Sequence, residues 1–319
     1  MDYLTLITDD YPTTETITMD EPQLSLGEQF LEENGMLWNA TKLPMYIEDP
    51  VTGLTRTVPG HHANVRDDNN EVIGVTGARH TNYQNSQVVK LGDILAKEGD
   101  ITWEKAGMFH GGASCYAQGK LQHQLEVVPG DKIDPYLTFT WAHDGSGSFK
   151  AFLTYIRIFC QNQSRAIAAD MELLFKFRHT SSIQTNAERA AKLLTHADDA
   201  FIMLNNTMQE LAQKHLSLQQ FVDIVHVLYP DPEEGPTPTK TLNIRETISH
   251  LFYHGIGQQH PGVRNTAWAG LNAITEFTTH HKIARGDTTQ DKQLSRLHST
   301  FAGSSAKQEQ KTLELLLAA

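Results

Sequence analysis

Residues 136–160, YLTFTWAHDGSGSFKAFLTYIRIFC, decide the fold class of this chain. Segments 136–141 and 153–160 are rich in aromatic and β-branched residues, which favour β-strands. The connection between them contains HDGSGS at positions 143–148, a composition that is typical of a turn. Strands joined by a short connection pair antiparallel, because parallel strands need a longer crossover. The stretch therefore predicts an antiparallel sheet.

Strand and helix patterns continue on the N-terminal side of this stretch. Alternating apolar residues and polar or glycine turns predict further strands over 38–47 and hairpins over 63–75 and 101–120. Apolar residues at helical spacing predict helices over 24–33 and 85–99. We predict an α+β fold, in which an antiparallel curved sheet with one inserted helix is followed by a mainly helical C-terminal half.

The chain divides by composition into five regions. These are an acidic N-terminal arm at 1–20, an α+β sheet domain at 21–180, a helical region at 181–229, a Pro-rich linker at 230–239 and a helical C-terminal region at 240–319. Four prolines between positions 230 and 238 prevent a helix in the linker. Helices are predicted over 165–177, 186–214, 218–228 with Ser217 as its N-cap, 243–253 and 266–281, with a short docking helix at the C-terminus.

Composition excludes several classes of protein. The 319 residues contain 26 Lys and Arg against 38 Asp and Glu, a net charge of −12, which argues against a generally basic nucleic-acid coat and leaves only a local basic face open. There is no apolar run of about 20 residues for a membrane helix, and residues 1–20 lack the features of a signal peptide. Two cysteines cannot form a disulfide framework. We therefore predict a cytoplasmic protein with no membrane partner.

No motif in the sequence indicates a cofactor or a metal. There is no Walker loop, no GxGxxG after a strand and no HExxH. His250 and His254 share a helical face at the spacing of two metal ligands, but no third ligand accompanies them. We predict neither a cofactor nor a metal site.

Basic and aromatic residues nevertheless concentrate in the predicted sheet. Single-stranded nucleic acid is bound by cations that contact phosphates and by aromatic rings that stack on bases. The residues predicted to contact phosphates are Arg66, Arg79, Lys105, Lys150, Arg157 and Arg165, and the predicted stacking residues are Tyr83 and Trp141. The alternative interpretation is that most of the aromatic residues form the core and most of the cations lie on a solvated face.

Two other functions stay open from the residues alone. Cys160, with His143 and Asn162, supplies the residue types of a thiol-dependent enzyme, provided that the three side chains converge on a pocket. A strand position on the same face as Ile156 and Ile158 is more typical of a buried, inert cysteine. The other alternative is a non-enzymatic assembly or host-interaction protein that uses the acidic arm and the Pro-rich linker.

Several sequence blocks occur in an order that resembles a known family. The blocks are 64–67 with 74–75, 79 and 83–85, then 106–107 with 111–112, then 136–137 with 143–146, then 157–162, and finally 265–277. In this order they resemble an uncharacterised family of phage and plasmid proteins whose domain has no known function. The resemblance implies a role in mobile-element biology, beside DNA replication or recombination, and a layout similar to that of single-strand annealing proteins. We therefore predict a nucleic-acid-binding accessory protein that binds or anneals single-stranded DNA as a homo-oligomer.

Overall fold

A computed structural model describes residues 23–97, 101–158, 162–165, 175–177 and 186–319. These residues contain eight α-helices and ten β-strands. The helices are α1 Leu26–Glu33, α2 Asn85–Lys97, α3 Asn186–Gln213, α4 Leu218–Leu228, α5 Thr239–His254, α6 Ala267–Glu276, α7 Thr289–Ala302 and α8 Ser304–Ala318. The strands are β1 Ala40–Glu48, β2 Thr55–Arg66, β3 Val72–Gly77, β4 Ile101–Phe109, β5 Ser114–Leu121, β6 Leu125–Val128, β7 Asp131–Ala142, β8 Phe149–Arg157, β9 Asn162–Arg165 and β10 Phe175–Phe177.

The strands form two antiparallel sheets. The smaller sheet has the order β1-β2-β3, and the larger has the order β10-β8-β7-β5-β4, with β6 on β7 and β9 on β8. The turn between β7 and β8 is the predicted one, with Gly145 at a positive φ of 81° and the Asp144 carboxylate accepting a hydrogen bond from the Ser146 amide at 2.8 Å. The prediction of an α+β fold with an antiparallel sheet and a helical C-terminal half is confirmed.

Helix starts follow the sequence closely, because capping is a local interaction. Ser25 and Glu28 form a reciprocal capping box at the start of α1, and Ser217 and Gln220 form another at the start of α4. Thr266 caps α6 by accepting from the Ala269 amide. The helix α6 continues into a π-helical turn over Phe277–His281. No helix in the described part of the chain is both long and apolar enough to cross a bilayer.

The helix predicted over 165–177 is wrong at both ends. Arg165 ends strand β9 and Phe175–Phe177 forms β10, and both strands pair with the edge of β8 that lies away from β7. The edge of β8 that does not pair with β7 offers unpaired backbone groups, and this tertiary pairing overrides the helical spacing of the local sequence. Residues 166–174 lie outside the described part. The predicted strand over 153–160 ends at Arg157, and residues 159–161, which include Cys160, also lie outside it.

Side chains on the two faces of the larger sheet enter different cores. On one face, Leu137, Phe139 and Trp141 pack with Leu31 of α1 and Val89 of α2. Toward the β6 end of the sheet, a second core joins residues of β6, β7 and β8 to the C-terminal helices. We call the opposite face the outer face; it carries Lys105, Tyr116, Thr138 and Phe152 in register. The outer face is covered by α7, which places Phe301 against Tyr116 and Phe152.

Candidate functional site

The Arg66 side chain forms an ion pair with Asp68. Its guanidinium donates to the Asp68 carboxylate at 2.6 and 2.9 Å, and it lies 4.5 Å from the centroid of the Trp38 ring. Arg66 holds the pKa of Asp68 below its ordinary value, as expected for a carboxylate with a hydrogen-bonded cation. Arg66 is only 7% exposed and is already paired with a carboxylate, so its guanidinium stabilises the fold.

Arg157 is buried to 0% exposure in the ion pair that fastens the larger sheet to the C-terminal helices. It donates to Asp131, also at 0% exposure, with Nε and Nη2 each at 2.8 Å from a carboxylate oxygen. The same carboxylate accepts from Nε1 of Trp268 at 2.8 Å. Arg157 also donates to the carbonyl oxygens of Ile256 and Gly257. Arg157 therefore stabilises the fold and leaves no surface for a phosphate.

The two predicted stacking residues are packed against other side chains. Trp141 is 1% exposed, and its Nε1 donates to Oδ1 of Asn85 at 2.8 Å. The Tyr83 ring is half-buried, with its centroid 5.6 Å from that of Phe149. A base cannot reach the indole of Trp141, because the ring has no exposed face.

The remaining predicted cations fall into two places. Arg79 is exposed in the turn after β3, within the smaller sheet. Lys105 pairs in register with Gln118, and Lys150 pairs with Thr140, so both lie on the outer face of the larger sheet. Arg165 pairs in register with Thr154 on β8. The structure thus brings Lys105, Lys150 and Arg165 to the same sheet and leaves Arg79 apart.

A pocket of about 450 Å³ opens between the outer face and α7. We call it the basic pocket. Lys105 from β4, His280 from the π-helical turn and Arg296 from α7 supply its cationic groups, and Tyr116 and Gln163 line it beside them. None of the described residues that line the basic pocket is acidic. Three separate elements of the fold thus bring basic side chains to one cavity.

A chain of buried polar side chains supports this pocket. Gln163 donates to the Gln118 side-chain oxygen at 3.1 Å, and Gln118 donates in turn to the hydroxyls of Thr138 at 2.8 Å and Thr154 at 3.0 Å. Thr279 donates to the Gln163 carbonyl at 3.3 Å. Because these partners lie on four strands and on the π-helical turn, the polar wall is fixed relative to the cations.

Lys105, one of the cations of the basic pocket, has lost part of its hydration. Burial lowers the pKa of Lys105 below its ordinary value, while Glu104 and Asp134 act in the opposite direction. The nearest of these carboxylates are engaged elsewhere, since Asp134 binds Lys120 at 2.9 Å and Glu104 accepts from the Tyr136 hydroxyl at 2.7 Å. The Nε of Arg296 donates to the Lys282 carbonyl at 2.8 Å, which orients its guanidinium.

A second, smaller pocket lies further along α7. It has a volume of about 280 Å³, and Lys150, His298, Ser146 and Ser148 line it. Burial and the neighbouring His110 both lower the pKa of His298. Here too, the described lining residues include no carboxylate. The two pockets place basic groups at two points along one helix.

The thiol-enzyme alternative needs His143 and Asn162 to meet, and the structure separates them. His143 follows the end of β7, where its Nε2 contacts the Asn85 side-chain oxygen at 3.0 Å. Asn162 pairs with Arg157, which lies opposite Ile133 at the start of β7. Ten residues of strand span about 30 Å, so the two side chains lie at opposite ends of the sheet. Cys160 lies outside the described residues.

Cys115 is expected to be inert to alkylation in the folded protein. It is 1% exposed, and burial raises the pKa of its thiol, whereas only the thiolate reacts with iodoacetamide. Peptide mapping after treatment of native protein should find Cys115 unmodified, and treatment in denaturant should modify it. Equal modification in both states would show that β5 opens in solution.

Two residues of the basic pocket were missed by the sequence analysis. His280 belongs to the stretch HHKIAR at 280–285, and Arg296 follows in the next helix. A local excess of basic residues was the available signal. It could not identify the site, because only the packing of α7 on the outer face brings these residues to Lys105.

Comparison with known proteins identifies one family. The family model described as a domain of unknown function, DUF932, matches residues 72–301. The matched range includes Lys105, His280 and Arg296. No curated protein and no solved structure matches the chain. No group of three or more His, Cys, Asp or Glu in the described ranges could hold a metal ion.

Proposed function

The chain belongs to the DUF932 family, and from this premise we propose that it is a nucleic-acid-binding accessory protein whose basic pocket binds a backbone phosphate of a single strand. The observation that carries the proposal is the convergence of Lys105, His280 and Arg296 on one cavity whose described lining contains no carboxylate. Charge-assisted hydrogen bonds from such groups are the usual means of holding phosphate.

The shape of the site favours a single strand over a duplex. Because α7 covers part of the outer face, Lys105 and Lys150 on that face lie in pockets rather than on an open sheet surface. A cavity of about 450 Å³ has room for a phosphate with its sugar. Lys150 lines the second pocket, which also borders α7, and supplies a further cation for a neighbouring phosphate.

The biological setting is part of the same proposal. The blocks that resemble phage and plasmid proteins favour a protein encoded by a mobile element, acting in the cytoplasm of its host during replication or recombination. Annealing of complementary strands by a homo-oligomer is the form of activity that this setting supports. Light scattering of the purified protein, with and without oligonucleotide, measures the oligomeric state.

Binding of a fluorescein-labelled oligothymidine of about 20 nucleotides tests the proposal. We expect the affinity of the wild-type protein to fall between about 50 and 200 mM salt, since each neutralised phosphate releases counterions. The double variant Lys105→Ala with Arg296→Ala should bind about 10-fold more weakly. Its salt dependence, as the slope of log K on log salt, should decrease in magnitude by about 1.4, the value for two lost contacts to a single strand.

Lys132→Ala is the matched control for this experiment. Lys132 is an exposed cation at the start of β7 and does not line either pocket. Its removal changes the net charge by one unit and should leave both affinity and salt slope close to those of the wild-type protein. Absence of binding at the lower salt concentration, or an equal effect of Lys132→Ala, would contradict the proposal.

A further inference from the structure

A cluster of one lysine and three serines lies where the π-helical turn meets the start of α8. Nζ of Lys282 is 2.8 Å from the hydroxyl oxygen of Ser305, 2.9 Å from that of Ser304 and 3.5 Å from that of Ser299. No ion pair of the described residues includes Lys282. Its nearest polar side-chain contacts are thus hydroxyl groups, which can accept hydrogen bonds from an ammonium or donate one to a neutral amine.

The members of this cluster differ in exposure in a way that assigns them different roles. Ser305 is buried and Ser304 is exposed, whereas Lys282 is half-buried between them. Burial lowers the pKa of Lys282, and Glu309 opposes this effect. The Glu309 carboxylate accepts a hydrogen bond from the Thr278 hydroxyl at 2.9 Å. Ser304 is therefore a solvent-accessible hydroxyl in hydrogen-bond contact with a partly desolvated amine.

An apolar cavity adjoins the cluster. It has a volume of about 600 Å³ and is lined by Lys282 and Gln308 on one side and by Ile244, Phe277 and Ile283 among its apolar residues. Lys282, which contacts Ser304, itself lines the cavity, and Gln308 lies about one helical turn after Ser304 on α8. Ile283 is 81% exposed, which is unusual for an isoleucine at the rim of a cavity.

We propose that Ser304 is an acylatable nucleophile, that Lys282 is its general base, and that the site hydrolyses carboxylic esters whose apolar acyl group occupies the adjoining cavity. The neutral amine of Lys282 accepts the hydroxyl proton of Ser304 while the serine oxygen bonds to the ester carbonyl carbon. The bond from this carbon to the leaving oxygen then breaks, and the leaving alkoxide takes the proton from Lys282. Water hydrolyses the acyl-serine by the same route, with Lys282 accepting a water proton and returning it to the serine oxygen.

The start of α8 adds electrostatic support to this chemistry. Ser304 is the first residue of a 15-residue helix. The partial positive charge at a helix N-terminus stabilises an oxyanion that develops beside it. This contribution depends on the serine and lysine being in place, since the helix end alone would bind no particular group.

Labelling with a fluorophosphonate probe, followed by peptide mapping, tests the assignment, together with hydrolysis of para-nitrophenyl butyrate. We expect the wild-type protein to be labelled on Ser304. Ser304→Ala should abolish this labelling, and Lys282→Arg should slow both labelling and ester hydrolysis about 100-fold or more, the usual contribution of a general base. Arginine can keep the hydrogen bonds to the serines, but it stays protonated and cannot accept a proton.

The controls separate a chemical role from a structural one. Lys292→Arg, at an exposed position on α7, should leave labelling and hydrolysis unchanged. Thermal unfolding of Ser304→Ala and Lys282→Arg should match that of the wild-type protein within a few degrees, which would assign the loss of reaction to chemistry. An unlabelled wild-type protein, labelling at another residue, or labelling of Lys282→Arg at the wild-type rate would each overturn the proposal.

Discussion

Replacement of Asp131 by alanine is expected to lower the free energy of unfolding by about 3–5 kcal/mol. The variant would leave the buried guanidinium of Arg157 without the carboxylate that it contacts at 2.8 Å. It would also remove the acceptor for Nε1 of Trp268. Urea denaturation followed by tryptophan fluorescence gives the free energy directly, since Trp268 lies in the affected core.

Two further variants make this expectation specific to burial. Asp134→Ala removes the partner of Lys120, which it contacts at 2.9 Å in an ion pair whose side chains are partly exposed. This variant should lower the free energy of unfolding by about 1 kcal/mol or less. The double variant Asp131→Leu with Arg157→Met should recover part of the lost stability, because it removes both buried charges together. An effect of Asp131→Ala no larger than that of Asp134→Ala would contradict the account of Arg157.

Replacement of Asn85 by alanine is expected to cost about 3 kcal/mol of stability. Its side-chain oxygen accepts from Nε1 of Trp141 at 2.8 Å and contacts Nε2 of His143 at 3.0 Å. Its amide donates to the Met36 carbonyl at 2.8 Å. Asn85 and Trp141 are both buried, so the alanine variant leaves the indole N–H without its acceptor in an apolar environment.

Asn243→Ala is the matched control for Asn85→Ala. Asn243 is exposed on α5, and its replacement should change the free energy of unfolding by no more than about 0.5 kcal/mol. The same urea titration measures both variants. A loss of less than about 1 kcal/mol in Asn85→Ala would show that the shared acceptor contributes little beyond an ordinary side-chain contact.

The buried polar contacts around Asp131 and around Asn85 explain several of the sequence blocks that resemble the phage and plasmid family. Asn64 donates to the His143 carbonyl, and Asn85 joins the side chains of His143 and Trp141, so two of the blocks meet at one buried polar centre. Arg157 and Trp268, from two other blocks, meet at Asp131. The residues of these blocks hold the two sheets and the C-terminal helices together, whereas the basic pocket draws on residues outside them.

The sequence was sufficient where the determining interactions are local. The capping serine Ser217, the turn around Gly145 and the aromatic alternation of β7 and β8 act over a few residues, and each was predicted. The strand Phe175–Phe177 was not predicted, because its conformation depends on pairing with β8 rather than on its own residues. Residues 166–174 are outside the described part.

The same distinction between local and tertiary interactions applies to the candidate site. From the sequence alone come the α+β class, the antiparallel pairing, the helical C-terminal half and the presence of basic residues on an acidic chain. Only the tertiary structure decided that Arg157 is neutralised inside the core and that Lys105 meets Arg296 in a pocket. The physical reason is that the field around a cation depends on which charges and how much water surround it. Residues far apart in the chain determine both.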